Sequence, residues 1–235
     1  MDRGAHERSL EAPMLDPNRS IADLVSEHAE CAAVLRRHRI DFCFGGGRSL
    51  ARACEEHSVD LDELTHALEH AIRSRGPVPA DPRGLSTAAL IAHIERTHHA
   101  YLRQALPFLD RLAANVARVH GATQGNLREI AAEVALLRLA LELRLEREET
   151  QLFPALESGR AKDAAAELAT VLDEQHVVGA ALRRLRDLTC HYEAPQGACR
   201  SYQTLFAGLA ALETGILAHV HLEKTVLAPR FLEAS

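Results

Sequence analysis

His219 and Glu223 stand four residues apart in the run His-Val-His-Leu-Glu. In a helix that spacing is about one turn, so imidazole and carboxylate leave the same face. Such a pair is half of a site for a hard or borderline metal ion. Alone it carries little weight, because a single His or Glu on a helix is ordinarily a solvated side chain. Three other stretches of helical periodicity hold His99, Glu148 and His176 at matching depths. Leu102 and Leu106 continue the His99 stripe, and Leu141, Leu145 and Leu152 flank Glu148, which points these faces inward. Two carboxylates with imidazoles in a bundle core suit iron or manganese; structural zinc prefers a closed tetrahedral Cys/His set.

Four long helices are needed to bring those side chains together. The periodicity places them at 86–120, 126–156, 161–192 and 198–228, with Pro107 inside the first and Pro229 closing the last. The connections are short, so neighbours run antiparallel in an up-down-up-down bundle. Ahead of the bundle, helices are expected at 21–38, 49–57 and 60–73, with Ser20 and Asp60 as N-caps. Gly45, Gly46 and Gly47 interrupt this part. The expected organisation is a disordered leader at 1–18, a small helical domain at 19–75, a Pro- and Gly-rich linker at 76–85, and the bundle at 86–235. The fold class is all-α.

Composition agrees and narrows the function. The chain has 235 residues, 47% hydrophobic, 26% charged and only 4% aromatic, a helical and globular balance. A net charge of -6 without a Lys/Arg cluster argues against nucleic acid. No uninterrupted apolar run approaches the roughly 20 residues that span a bilayer, and the N-terminus has no signal-peptide core. Neither membrane insertion nor export is expected. The five cysteines are an odd number without a disulfide-framework spacing, as expected for reduced thiols in a cytoplasm. Cys43 lies just before the glycines and a helix start, where backbone N–H groups favour a thiolate; the other reading is a small residue at a tight turn. Cys31, Cys54, Cys190 and Cys199 are expected to pack as small apolar residues. His98, beside His99, is expected on the surface.

Longer motifs resemble one family. Thr97-His98-His99 leading to Pro107, Glu148-Glu149-Thr150-Gln151-Leu152-Phe153-Pro154, Glu174-Gln175-His176 and the 219–223 run before Pro229 resemble the hemerythrin-like domain of the repair-of-iron-centres (ScdA-type) proteins. Asp41-Phe42-Cys43-Phe44-Gly45-Gly46-Gly47 resembles the Cys-Cys-Gly-Gly signature of that family's N-terminal domain, with Phe44 in the second cysteine's place. The resemblance implies non-haem iron, one or two ions, held by His99, Glu148, His176, His219 and Glu223, with Glu148 and Glu223 bridging. It also implies a sixth ligand, a His one turn before Glu148, where this chain has Arg144. Arginine stays protonated and cannot ligate a metal. Three outcomes follow. A pair of irons persists, with water or Glu95 in the gap; a single iron remains and the guanidinium stands in for the other; or the site is metal-free and Arg144 neutralises Glu148.

The implied role is repair of iron–sulfur clusters damaged by nitrosative or oxidative stress, by iron donation and with Cys43 as a redox or transfer thiol, rather than conventional enzyme turnover. Implied partners are damaged iron–sulfur proteins and a second copy of the chain. The alternatives are an O2- or NO-binding sensor or NO-reducing di-iron protein, and a metal-free helical interaction protein.

Overall fold

The computed structural model describes residues 15–28, 30–38, 40, 42, 47–74, 82–158 and 161–232. The chain divides into two compact units, Met1–Val78 and Pro79–Ser235. The described residues are helical and contain no strand, only an isolated antiparallel bridge between Ser20 and Ser49.

The first unit contains α1 (Ile21–Glu27), α2 (Cys31–Arg37), α3 (Leu50–His57) and α4 (Leu61–Arg73). The hydroxyls of Ser20 and Ser49 and the carboxylate of Asp60 accept the N–H groups of Asp23, Arg52 and Glu63 at the starts of α1, α3 and α4, the usual N-cap arrangement. The single helix expected at 21–38 is broken between α1 and α2. Its buried stripes explain why. Ile21, Leu24 and Val25 recur ten residues later as Cys31, Val34 and Leu35. Ten residues turn a continuous helix through about 1000°, leaving the second stripe about 80° off the first. A break lets both stripes enter one core.

The second unit is built from four rods. The first, 87–120, joins α5 (Thr87–Ile94), a π-helical turn (Glu95–His99) and α6 (Ala100–His120). The second, 126–157, joins α7 (Asn126–Arg147), a π-helical turn (Glu148–Leu152) and α8 (Phe153–Glu157). The third is α9 (Ala161–Leu188). The fourth, 200–232, joins α10 (Arg200–Leu222), a π-helical turn (Glu223–Leu227) and α11 (Pro229–Leu232). α6 lies beside α7 and α10, and α7 beside α9. Arg186 of α9 donates to the buried carboxylate of Glu213 on α10 at 2.6 Å, tying those two helices together. Glycines let α10 approach α6 closely: a Cβ on Gly215 would fall 2.5 Å from the Tyr101 ring, and one on Gly208 2.5 Å from a Leu109 methyl.

Several expectations change. α9 ends at Leu188 rather than 192. The Thr189 hydroxyl donates to Leu185 O and accepts the Tyr192 N–H, and Cys190, His191 and Tyr192 take left-handed φ values of 46°, 62° and 67°. Side-chain bonds of this kind compete with the helix ladder. Cys190 and Cys199 are therefore in a connection and exposed, not packed, whereas Cys31 and Cys54 are buried. Residues 200–231 are long and apolar enough to cross a bilayer, with mean hydropathy 1.5 over the most apolar 18 residues, although no uninterrupted run was. That apolarity serves the bundle: 56% of those 18 residues are buried, and Leu205, Leu209, Leu212, Ile216 and Val220 along the helix face the core.

Burial pushes the Cys31 thiol up to about 12, so it stays protonated and unreactive near neutral pH. Iodoacetamide at pH 8 is expected to label Cys190 and Cys199 in the native chain, and Cys31 only after denaturation, as read by peptide mass mapping. Glu213→Ala removes the buried carboxylate that Arg186 bonds across α9 and α10 and is expected to cost about 2 kcal/mol of stability, measured by urea unfolding.

Candidate metal centre

Each of the three π turns begins or ends on a residue of the site: His99 ends the first, Glu148 begins the second and Glu223 begins the third. Each is closed by an N–H bonding the carbonyl five residues back, from Ala100 to Glu95, Phe153 to Glu148 and Ala228 to Glu223. The three turns share a sequence device. Glu95-Arg96-Thr97, Glu148-Glu149-Thr150 and Glu223-Lys224-Thr225 all read Glu-x-Thr. In each the Thr hydroxyl donates to the carbonyl four residues back, His93, Glu146 or His221, at 2.6, 2.7 and 2.8 Å. The hydroxyl thus bonds a carbonyl next to the widened turn. Pro154 and Pro229 each follow six residues after the carboxylate, where a missing N–H and a crowding ring already weaken the regular ladder. π turns of this kind cluster at functional sites.

The turns bring His99, Glu148 and His219 together, all buried, with one donor atom of each within 4.8 Å of the others. His99 Nε2 lies 3.1 Å from Glu148 Oε2 and 3.2 Å from His219 Nε2; His219 Nε2 lies 3.4 Å from Glu148 Oε2. Glu223 Oε1 lies 3.5 Å from His219 Nε2. Ligands about 2.1 Å from one cation stand about 3.0–3.4 Å apart, so the triad matches the edges of a single coordination sphere. Glu148 Oε2 and Glu223 Oε1 are buried without a hydrogen-bond donor, an arrangement that needs a cation or water to complete it. The His99 ring is oriented by its neighbours. Its Nδ1 lies 2.8 Å from Glu149 Oε1, and Arg103 holds the other oxygen of Glu149 at 2.7 Å. With the proton on Nδ1, Nε2 presents its lone pair to the site. The Phe153 ring stacks on His99 with centroids 5.6 Å apart.

Arg144 fills the other half. Its Nε donates to Glu148 Oε1 at 2.6 Å and its Nη2 donates to Glu223 Oε2. Each carboxylate therefore gives one oxygen to the guanidinium and turns the other toward the imidazoles. Burial opposes ionisation of Glu148, but His219, His99 and Arg144 hold its carboxyl well below the usual range. At Glu223 burial dominates over Arg144 and pushes the carboxyl up to about 7. Burial also opposes a charge on His219, yet Glu223 and Glu148 raise it. The donor set fits a cation, whose arrival would displace protons from these groups, and the Arg144 guanidinium occupies the other side of both carboxylates.

Two expected participants are elsewhere. His176 lies exposed on the outer face of α9, and Gln175 is buried in its place. The reason is the α9 stripe: Leu168, Val171, Gln175, Val178, Leu182 and Leu185 keep the three-four spacing of a core face, and His176 is about 100° off it. Gln175 Nε2 stands 3.5 Å from Glu223 Oε2. Glu95 is exposed too, since the π turn between it and His99 breaks their one-turn alignment. His98 is not a free surface residue: it is half-buried, its ring 5.9 Å from that of His219. Cys43, with Phe44, Gly45 and Gly46, lies outside the described residues. Sequence reasoning missed Glu149 and Arg103, for which the paired Glu148-Glu149 was the available sign, and Gln175, which the stripe identifies.

Residues 17–72 match ScdA_N, a domain of unknown function, and residues 90–231 match the hemerythrin HHE cation binding domain. Iron-sulfur cluster repair protein YtfE of Yersinia pseudotuberculosis serotype IB (strain PB1/+) is 31% identical over 215 residues, covering 92% of this chain and 97% of the relative. The protein of the same name from Yersinia pestis (strain Pestoides F) has the same identity and coverage. The chain belongs to the hemerythrin HHE family of iron-sulfur cluster repair proteins. Its cation-binding domain match spans all four rods, and the ScdA_N match spans α1 to α4. Within this hemerythrin-like bundle the His99, Glu148 and His219 cluster is the metal-capable site.

Glu149→Ala removes the carboxylate that orients His99 while leaving every candidate ligand in place. It is expected to weaken metal affinity by about 10- to 100-fold, read as the iron(II) concentration for half-saturation; an unchanged affinity would show that His99 does not depend on Glu149.

Proposed function

We propose that this chain is an iron protein that serves the repair of damaged iron–sulfur clusters with one iron per bundle. The observation that carries this reading is the Arg144 guanidinium between Glu148 and Glu223. It supplies one permanent charge where a bridged pair would need a second ion, and leaves His99, His219 and the facing carboxylate oxygens for the other. The named relatives support the repair role. The bound ion is cargo: iron for clusters that oxidative or nitrosative damage has depleted.

The chain's own residues favour release over tight storage. Arg144 draws carboxylate charge away from the ion, and the buried Gln175 offers only a neutral amide on the α9 side. Fewer anionic and imidazole donors mean weaker retention. Glu223 takes a proton near neutrality, which offers an exchange route of proton for iron. Cys43 is the transfer thiol on the receiving side, and damaged iron–sulfur proteins are the partners. The free Cys31, Cys54, Cys190 and Cys199 suit a reducing cytoplasm as the place of work.

After anaerobic purification, elemental analysis is expected to find about one iron per wild-type chain, about two in Arg144→His and none in His219→Ala. Two irons in the wild type, or none, would overturn the single-ion reading. Donation is read separately, as iron-dependent rebuilding of a cluster in an apo iron–sulfur protein, slowed by Cys43→Ser.

A further inference from the structure

Arg144 faces two ways. Nε and Nη2 lie on one edge of the guanidinium and are committed to Glu148 and Glu223. Nη1, on the other edge, is buried and has no hydrogen-bond partner, while the residue as a whole is 2% exposed. A buried charged donor left unpaired is costly, so this edge calls for an acceptor. Arg144 lines a cavity of about 250 Å³ between α7 and α9. The other walls are Ala140, Leu143, Val177 and Val178, and Arg147 and Glu174 complete the lining. Arg147 pairs with Glu174 across the two helices, and both are about one-third exposed. An ion pair this exposed contributes little, and with Leu143 and Val177 exposed the cavity is open to solvent along its rim.

We propose that this cavity binds a small aliphatic monocarboxylate, with its carboxylate on Arg144 Nη1 and its chain against Leu143, Val177 and Val178. Arg144 Nη1 lacks an acceptor, and a guanidinium prefers an anionic one. One free donor nitrogen suits a monoanion better than phosphate, which needs several donors. The walls are apolar and require a hydrocarbon portion. The volume of about 250 Å³ has room for a chain of a few carbons. The bound anion would complete the guanidinium whose other edge holds both site carboxylates, and so link small-molecule binding to the metal centre. The pocket rests on Arg144 and the α7–α9 wall and stands whether or not the bundle holds iron.

Removing Arg144 would leave Glu148 and Glu223 facing each other, so the test blocks the wall instead. Butyrate is titrated into the EDTA-treated full chain, and methyl NMR shifts of Leu143, Val177 and Val178 are followed, with neutral butyramide in parallel. The expected result is saturable shifts with butyrate and much weaker ones with butyramide. Ala140→Phe, which fills the cavity, is expected to weaken butyrate by at least about tenfold, and Glu174→Gln, which removes a negative charge at the mouth, to tighten it. If Ala140→Phe does not fold, Val177→Trp at an exposed rim position replaces it. No saturable shifts, equal response to butyramide, or unchanged affinity in the wall variant overturns the proposal. Shifts that arise only after iron(II) loading also overturn it, because the carboxylate is then on the metal. A chain that binds butyrate but never iron keeps this inference and sinks the single-iron reading.

Discussion

The bundle depends on how it neutralises charge in its own interior. Glu148 and Glu223 are buried on facing rods, and two carboxylates cannot share an apolar core unless something positive lies between them. Arg144 does this for one oxygen of each. The other oxygens turn to His99 and His219. Every other feature of the site follows from that division. His219 gains carboxylate partners that favour its charge, the Glu148 carboxyl is driven strongly acidic and that of Glu223 toward neutrality, and the guanidinium and the imidazoles take different oxygens of the two carboxylates.

A rigid bundle does not bring such groups together by itself. A regular helix repeats its faces every three or four residues, and a site shared by three rods needs that repeat adjusted locally. The π turns supply the adjustment. Each adds one residue beside a functional side chain, and each has a Thr hydroxyl bonded to a neighbouring carbonyl. Three copies of Glu-x-Thr on three rods thus serve one purpose. The same adjustment explains why Glu95, which a regular helix would have set under His99, lies outside. The apolar cluster of Leu90, Ile94, Leu152, Phe153, Val226 and Leu227 includes the ends of these turns, so their geometry is fixed by packing as well as by hydrogen bonds.

Two residues give the interior of the bundle its character. Arg144 carries a permanent positive charge between the two carboxylates, and Gln175 offers an amide where α9 faces the core. Both keep the interior polar. The same guanidinium keeps one buried donor, Nη1, that neither carboxylate takes, and Arg144 also lines the cavity between α7 and α9.

The sequence by itself determined the helical class, the bundle, the N-caps at Ser20 and Asp60, and the pairing of His219 with Glu223, because these rest on local spacing and capping chemistry. The significance of Arg144 came from the resemblance to the family rather than from spacing. The sequence could have shown the break between α1 and α2 and the inward turn of Gln175, since both follow from stripe arithmetic over Ile21–Leu35 and Leu168–Leu185. Only the tertiary structure decided that Glu149 and Arg103 orient His99, that His98 lies against His219, and that the guanidinium spans both carboxylates. These are contacts between rods far apart in the chain. They depend on the rotation of each helix about its own axis, and a single added residue in a π turn changes that rotation by about 100°.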